Sequence, residues 1–257
     1  MYEQAGIGGR LANVVGFARA RLDGEVVVAE AEGALVGVAA GAMFGGTGWV
    51  GGVAVVPAHR RIGLGGALTE AIVEFREVGG AATVLLHATA LGRPVYERLG
   101  FVPETAYQTL AGPTLPRGPR EAPVRAGQAG DLEAVLALDL AATGEDRRRL
   151  LTALWPTGSL VAATGGEPLG YHLASPWRTG GATIAADPGT GLALLDAVRA
   201  AGGEEVAISV PTANTPAVEF LEEAGFAEVY RTIRMHRGPR VRWDPAALFG
   251  AHNLFWG

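Results

Sequence analysis

The sequence contains neither cysteine nor lysine; all 21 of its basic residues are arginine. Without cysteine, a disulfide framework and a thiolate metal site are excluded, and no metal is expected. Without lysine, a Schiff-base nucleophile and self-modification on a lysine side chain are excluded. Arginine in place of lysine, with abundant Ala and Gly, reads as the mutational bias of a GC-rich bacterial genome rather than as function. No run of 18 or more apolar residues appears, so no membrane span is expected. The N-terminus "MYEQAGIGGR" has neither a charged n-region nor an apolar h-region, so no signal peptide is expected and the cytoplasm is the expected location. The formal charge of −5 lacks the basic excess of nucleic-acid binders, so nucleic acid is not an expected partner. What remains is a chain of 257 residues, 49% apolar, with enough length and apolar content for two domains with buried cores.

The hydrophobic periodicities define an α/β chain. In the first half, a helix is expected over Leu11 to Arg21. Strands follow over Glu25 to Ala31 and Ala34 to Ala42, joined at Glu32-Gly33, and a third over Trp49 to Val56. A helix from Gly65 to Val78 stops at Gly79-Gly80. A strand from Ala82 to Ala88, a short helix begun by Pro94, and a strand from Val102 to Leu110 complete the unit. Four prolines in "AGPTLPRGPREAP" are incompatible with a sheet interior and mark a linker. The expected domains are therefore 1–111 and 123–239, with the linker at 112–122 and a tail, 240–257, docked on a domain. The second half repeats the order: helices near Asp131 to Ala141 and Glu145 to Leu154, strands near Ser159 to Ala163, Leu169 to Ala174 and Ala182 to Ala186, a helix Thr190 to Ala201, a strand Glu205 to Val210, a helix Thr215 to Ala224 and a strand Glu228 to Met235. "YERLGFVPETAYQTL" aligns with "LEEAGFAEVYRTIRM", Gly100-Phe101 on Gly225-Phe226, so the halves read as an internal duplication.

The chemistry is expected in "PAHRRIGLGGAL", Pro57 to Leu68, between an apolar strand and a helix. The first N–H groups of a helix have no intrahelical partner, and the helix dipole adds positive potential. Glycines admit a phosphate closely, and Arg60 and Arg61 add charge. A Walker A loop needs a lysine, and this chain has none. A dinucleotide fingerprint needs a third glycine, where Leu68 stands, and a βαβ unit in place of the hairpin.

Arg60-x-x-Gly63-x-Gly65 resembles the R/Q-x-x-G-x-G/A motif of the GCN5-related N-acetyltransferases, the GNAT superfamily. Val53, Val55 and Pro57 resemble its "V-x-V-x-P" strand, and "RPVYERLGF" its tyrosine helix, with Tyr96 on the tyrosine position. The resemblance covers about Leu11 to Leu110 and implies two tandem GNAT-like domains of α+β type with mixed sheets. It implies an N-acetyltransferase that moves acetyl from acetyl-CoA to a primary amine of a small molecule by direct attack. The pyrophosphate would lie on Arg60, Arg61, Ile62, Gly63, Leu64, Gly65 and Gly66. The pantetheine arm would pair with Val53, Ala54 and Val55, with the Val55 N–H as oxyanion donor and Tyr96 as general acid. The strand "GWVGGVAVV" has no acid, so His87 is the nearest candidate base by position, with a water chain as the alternative. Glu97 reads as a solvated face residue.

Three departures stand out. Members often carry Gly where Arg61 stands. The family has a strand and a helix before the Leu11 helix that are not found here. In the second half, "DPGTGLALL" shortens the loop and Leu221 takes the place of Tyr96, so that copy reads as degenerate and non-catalytic, with one acetyl-CoA site per chain. Tyr171, His172, Trp177 and Arg178 are candidates to line its cleft, against an ordinary strand and loop; "GEDRRRLL" reads as a solvated helix face. The alternatives are a non-catalytic CoA-binding or sensory protein and a transferase of a larger acyl group. A monomer acting as its own pseudo-dimer and a homodimer are both open.

Overall fold

The computed structural model describes residues 10–113, 123–176, 181–201 and 205–257. The linker expected at 112–122 therefore lies outside the described residues from 114 on. Two compact units form: residues up to Glu104 with Ile233–Val241 and Trp256, and Thr105–Thr232 with Arg242–Phe255 and Gly257.

In the first unit α1 (Arg10–Arg21) leads into the hairpin of β1 (Glu25–Ala31) and β2 (Ala34–Phe44). Glu32 and Gly33 both have positive φ, 51° and 75°, as a two-residue turn matched to strand twist requires. β3 (Thr47–Val55) pairs antiparallel with β2, and β4 (Thr83–Ala88) parallel with β3. Between them α2 (Leu64–Val78) buries Leu68, Ile72 and Val73, one stripe at helical spacing, against Val50, Val84, Leu86 and Ala88. α3 (Arg93–Arg98) and the start of β5 (Val102–Pro113) complete the first half's share.

The second half begins with the short strand β6 (Val124–Ala126), then α4 (Leu132–Thr143) and α5 (Arg148–Leu154). β7 (Leu160–Thr164), β8 (Glu167–Ala174) and β9 (Gly181–Ala185) form antiparallel ladders with β6 at one edge. α6 (Pro188–Ala201), β10 (Glu205–Pro211), α7 (Thr215–Glu223), β11 (Ala227–Arg237) and β12 (Leu248–Gly250) follow. Leu195, Ile208, Val210, Leu221, Phe226 and Phe249 make its core. β6 and β12 escape sequence reading because three residues carry no periodicity.

The units cross the linear boundary near Ala111. In the first, the last stretch of β11 is the second neighbour of β4: Ile233 faces Ala88, Met235 faces Leu86, Arg237 faces Val84. Met235 is fully buried in that core. In the second, β5 of the first half pairs with β10 from Tyr107 against Pro211 to Pro113 against Glu205, and Leu110 joins that core. β5 and β11 follow the aligned Gly-Phe pairs, so the duplicated halves have exchanged equivalent strands.

A buried polar group organises the second unit. Asp139 on α4 receives Arg147 Nη2 at 2.5 Å and Nε at 3.0 Å, and the Tyr171 hydroxyl also donates to it. Arg147 belongs to the run expected on a solvated face, yet it is only 3% exposed because Asp139 draws it inward. His172 sits beside Thr183, Nδ1 to Oγ1 2.9 Å, and His252 is fully buried nearby. Burial pushes His172 down to about 4; burial, then the Arg147 charge and His172, push His252 to about 3. Both rings stay neutral in the fold but gain a proton below pH about 6.5 when unfolded. The unfolded state then binds more protons, so stability is full above that pH and falls toward the folded values. Lowering pH from 7.5 to 5.5 is expected to cost about 1.4 kcal/mol for each of the two histidines, read as a lower urea midpoint. A midpoint flat over this range would contradict the assignment.

Candidate functional site

The loop after β3 starts with one 3₁₀ turn, Pro57–His59, and continues in extended backbone at Arg60. Arg61 and Gly63 both lie in the left-handed region, φ 65° and 88°. The departure at Arg61 therefore carries a cost: the conformation favours glycine, and a side chain there costs about 1 kcal/mol. Arg60, Arg61, Ile62 and Gly63 are exposed.

Gly63 caps α2 without a side chain, no acid occupies its first turn, and the first helical bond is Ala67 N–H to Gly63 O, 3.1 Å. The N–H groups of Leu64, Gly65 and Gly66 thus have no intrahelical partner. A Cβ on Gly65 would approach only Val55, at 3.9 Å, and one on Gly66 only Val95, at 3.6 Å. The protein does not crowd either glycine, so the space above them suits a group that must come close to the backbone. Gly63 is different, since nothing lies within 4 Å of its Cβ position and only its φ demands glycine. Gly63→Ala is therefore expected to cost about 1–2 kcal/mol, and Gly63→Asn less, because Asn tolerates this region. Equal midpoints for the two variants in urea would contradict this.

β3 leaves β4 halfway along. Their ladder covers only Thr47–Val50 against Thr83–Leu86. Just beyond, Gly52 and Val53 together face Ala39 of β2, a bulge made possible by φ 63° at Gly52. From Gly51 on, the other edge of β3 has no β4 partner. Val56 N–H bonds Val36 O of β2 at 3.0 Å. By strand alternation, the Val55 N–H and C=O point to the opposite, open edge. The Val55 carbonyl there accepts Arg60 Nε at 2.8 Å, which ties the loop to the strand end.

Tyr96 comes from α3, a short helix with Pro94 in its first turn. Its ring is half-buried, edge-on to Phe101 at 6.1 Å, and lies over Gly92, where a Cβ would stand 2.9 Å away. Val53, Val55, Leu64 and Tyr96 all pack against one core, so the structure brings together the loop, the open strand and the tyrosine. Glu97 pairs with Arg93 at 2.7 Å on the exposed face expected for it.

His87 is not with them. Its neighbours Leu86 and Ala88 face that core, so strand alternation puts His87 on the other face of the sheet. There it stacks on Trp49, centroids 5.4 Å apart, directly opposite Arg234 of β11, whose guanidinium lies 5.8 Å from the Trp49 ring. Arg234 pairs with the buried Glu104 carboxylate, which also stands 3.2 Å from His236 Nδ1 and 3.6 Å from Arg240 Nε. Burial first and the Arg234 charge second push His87 down to about 3, so near neutral pH it is an uncharged and weakly basic ring. Sequence alone missed Arg234 and Glu104, which lie far from the motif; the apolar residues flanking His87 did signal its face.

In the second half the corresponding loop is closed. The N-terminus of α6 is capped by Asp187, whose Oδ1 accepts Thr190 N–H at 2.9 Å and Oδ2 the Thr190 hydroxyl at 2.7 Å. That helix end, which would otherwise suit an anion, holds the protein's own carboxylate. Leu221, in place of Tyr96, is fully buried core. Tyr171 and His172 are buried rather than cleft-lining, while Trp177 and Arg178 lie outside the described residues. Among the described residues no group of three or more His, Asp or Glu is placed to hold a metal, and no helix is long and apolar enough to cross a membrane.

Residues 22–103 and 135–250 each match a family model of an acetyltransferase (GNAT) domain. The chain therefore belongs to the GNAT superfamily and carries two copies of its domain in tandem. Among solved structures, it is similar to a putative acetyltransferase from Pyrococcus horikoshii, with TM-score 0.79 and 21% identity over 96% of this chain and 84% of that one. It is also similar to a GCN5-related N-acetyltransferase from Sphaerobacter thermophilus, with TM-score 0.64 and 23% identity over 86% and 82%. At these identities the likeness shows the fold. No curated protein sequence matches the chain.

Proposed function

We propose that the protein transfers the acetyl group of acetyl-CoA to a primary amine of a small molecule, at one site in its first half. The observation that carries this is the open edge of β3 running into the uncapped N-terminus of α2. The N–H groups from Arg61 to Gly66 would hold the pyrophosphate, with Arg60 bracing the strand end through Val55 O. The pantetheine amides would pair along Val53, Ala54 and Val55.

The amine lone pair attacks the thioester carbonyl carbon, and the carbonyl oxygen becomes an oxyanion facing the Val55 N–H. Collapse breaks the C–S bond, and the thiolate takes a proton from the Tyr96 hydroxyl. The nitrogen, now acylated, releases one proton to water, water returns a proton to the Tyr96 phenolate, and an amide and free CoA result. His87, at about 3, has little drive to hold a proton taken from an amine. It serves in this reading as a neutral hydrogen-bonding group beside the strand fork, and the proton leaves through water.

The net charge of −5 mildly favours a cationic amine by steering. The test is CoA release with a panel of amines, amino acids, polyamines and aminoglycosides, comparing acetyl-CoA with longer acyl-CoAs. Release that depends on an amine and is fastest with acetyl-CoA is expected. Binding of CoA without turnover on any amine would replace this reading with that of a CoA-binding protein. Faster transfer from a longer acyl-CoA would reassign the acyl group.

A further inference from the structure

The second half repeats the strand-to-helix corner of the first, but its cleft is occupied. With Pro188 on Pro57, Thr183 and Ile184 of β9 take the register of Gly52 and Val53, the edge left open in the first half. In the second half this edge is paired: β12 runs antiparallel to it, Leu248 against Ile184 and Gly250 against Thr183. On its other side the segment reaches β10, where Ala251 N–H donates to Ser209 O at 2.7 Å. β9 and β10 belong to different sheets, and the segment stands between them.

Besides the ladder, two contacts hold it as a cleft holds a ligand. The Phe249 ring, 1% exposed, covers Gly191 in the first turns of α6, where a Cβ would meet it at 2.4 Å. The buried Asn214 side chain donates to Ala246 O at 3.0 Å and to Leu248 O at 2.9 Å. Outside the segment, Asp187 supplies the anion at the α6 N-terminus. A backbone ladder, an apolar pocket for one side chain and a polar side chain bonded to main-chain carbonyls are the elements of strand-addition peptide recognition.

We propose that the second half uses the cleft of its fold as a binding site for an extended peptide, its own residues 245–251, and takes no acyl-CoA. The strand's amide groups stand where the two amides of a pantetheine arm would lie. That equivalence rests on the reading of the first half as the acyl-CoA site.

Equilibrium binding of CoA to the full chain is the first test. One equivalent is expected for the wild type and none for Gly65→Glu, whose carboxylate would meet the pyrophosphate. Two equivalents, one of them surviving Gly65→Glu, would overturn the peptide proposal and leave the first-half site standing. One equivalent that survives Gly65→Glu would overturn both. No binding by the wild type would overturn the first-half reading alone, and the peptide cleft would then be decided by proteolysis. Gly191→Leu puts a side chain where the Phe249 ring sits, and chymotryptic cleavage after Phe249 is expected to speed up at least tenfold. If that variant does not fold, Phe249→Ala is expected to speed cleavage after Phe255 in the same way. Cleavage at the wild-type rate in a folded variant would overturn the proposal.

Discussion

Replacing Arg147 with leucine is expected to destabilise the protein by about 3–5 kcal/mol, seen as a fall in urea midpoint at unchanged slope. Asp139 is 1% exposed and receives two guanidinium N–H groups, whereas the Tyr171 hydroxyl supplies one donor. Without Arg147 its carboxylate stays in the interior with that donor alone, and Gly257 O loses a bond of 3.1 Å. The cost is desolvation of a charge left without its counter-charge, not the worth of the pair itself. The double variant Asp139→Leu/Arg147→Leu is therefore expected to be more stable than Arg147→Leu alone, since it removes the Asp139 carboxylate that the single variant leaves without its counter-charge. A loss below 1 kcal/mol for the single variant, or additive losses in the double, would show that the pair is not the keystone described.

Nothing in the order "GEDRRRLL" distinguishes Arg147 from its neighbours, because its partner is eight residues away and on another helix. Local features fared better. The β1–β2 hairpin, α2 and the loop between β3 and α2 follow from periodicity, glycines and proline within a few residues, and the structure holds them close to the expected ranges. The segment from Val53 to Gly66 was legible because it is continuous. The strand exchange was not: Met235 and Leu110 are apolar strand residues either way, and which ladder they join is decided by partners far along the chain. The same holds for the cluster of Trp49, His87, Arg234 and Glu104, assembled from four strands. The bulge at Gly52 lay in plain view as "GWVGGVAVV", but a glycine pair alone does not say which edge it opens.

Removing one oxygen should separate binding from chemistry in the proposed reaction. Tyr96→Phe is expected to lower kcat by about 100-fold or more while leaving KM for acetyl-CoA within about threefold. The ring makes the packing contacts, against Phe101 and over Gly92, and the variant keeps it, so the fold should be untouched. The hydroxyl acts only as the C–S bond breaks, when negative charge gathers on sulfur. A donor whose thiol is more acidic needs less help at that step, so an aryl thioester is expected to lose less rate than acetyl-CoA does in the same variant. A purely structural role would lower both donors' rates equally and move the melting temperature. An unchanged kcat across pH would remove Tyr96 from the acid role, and the thiolate would then take its proton from water.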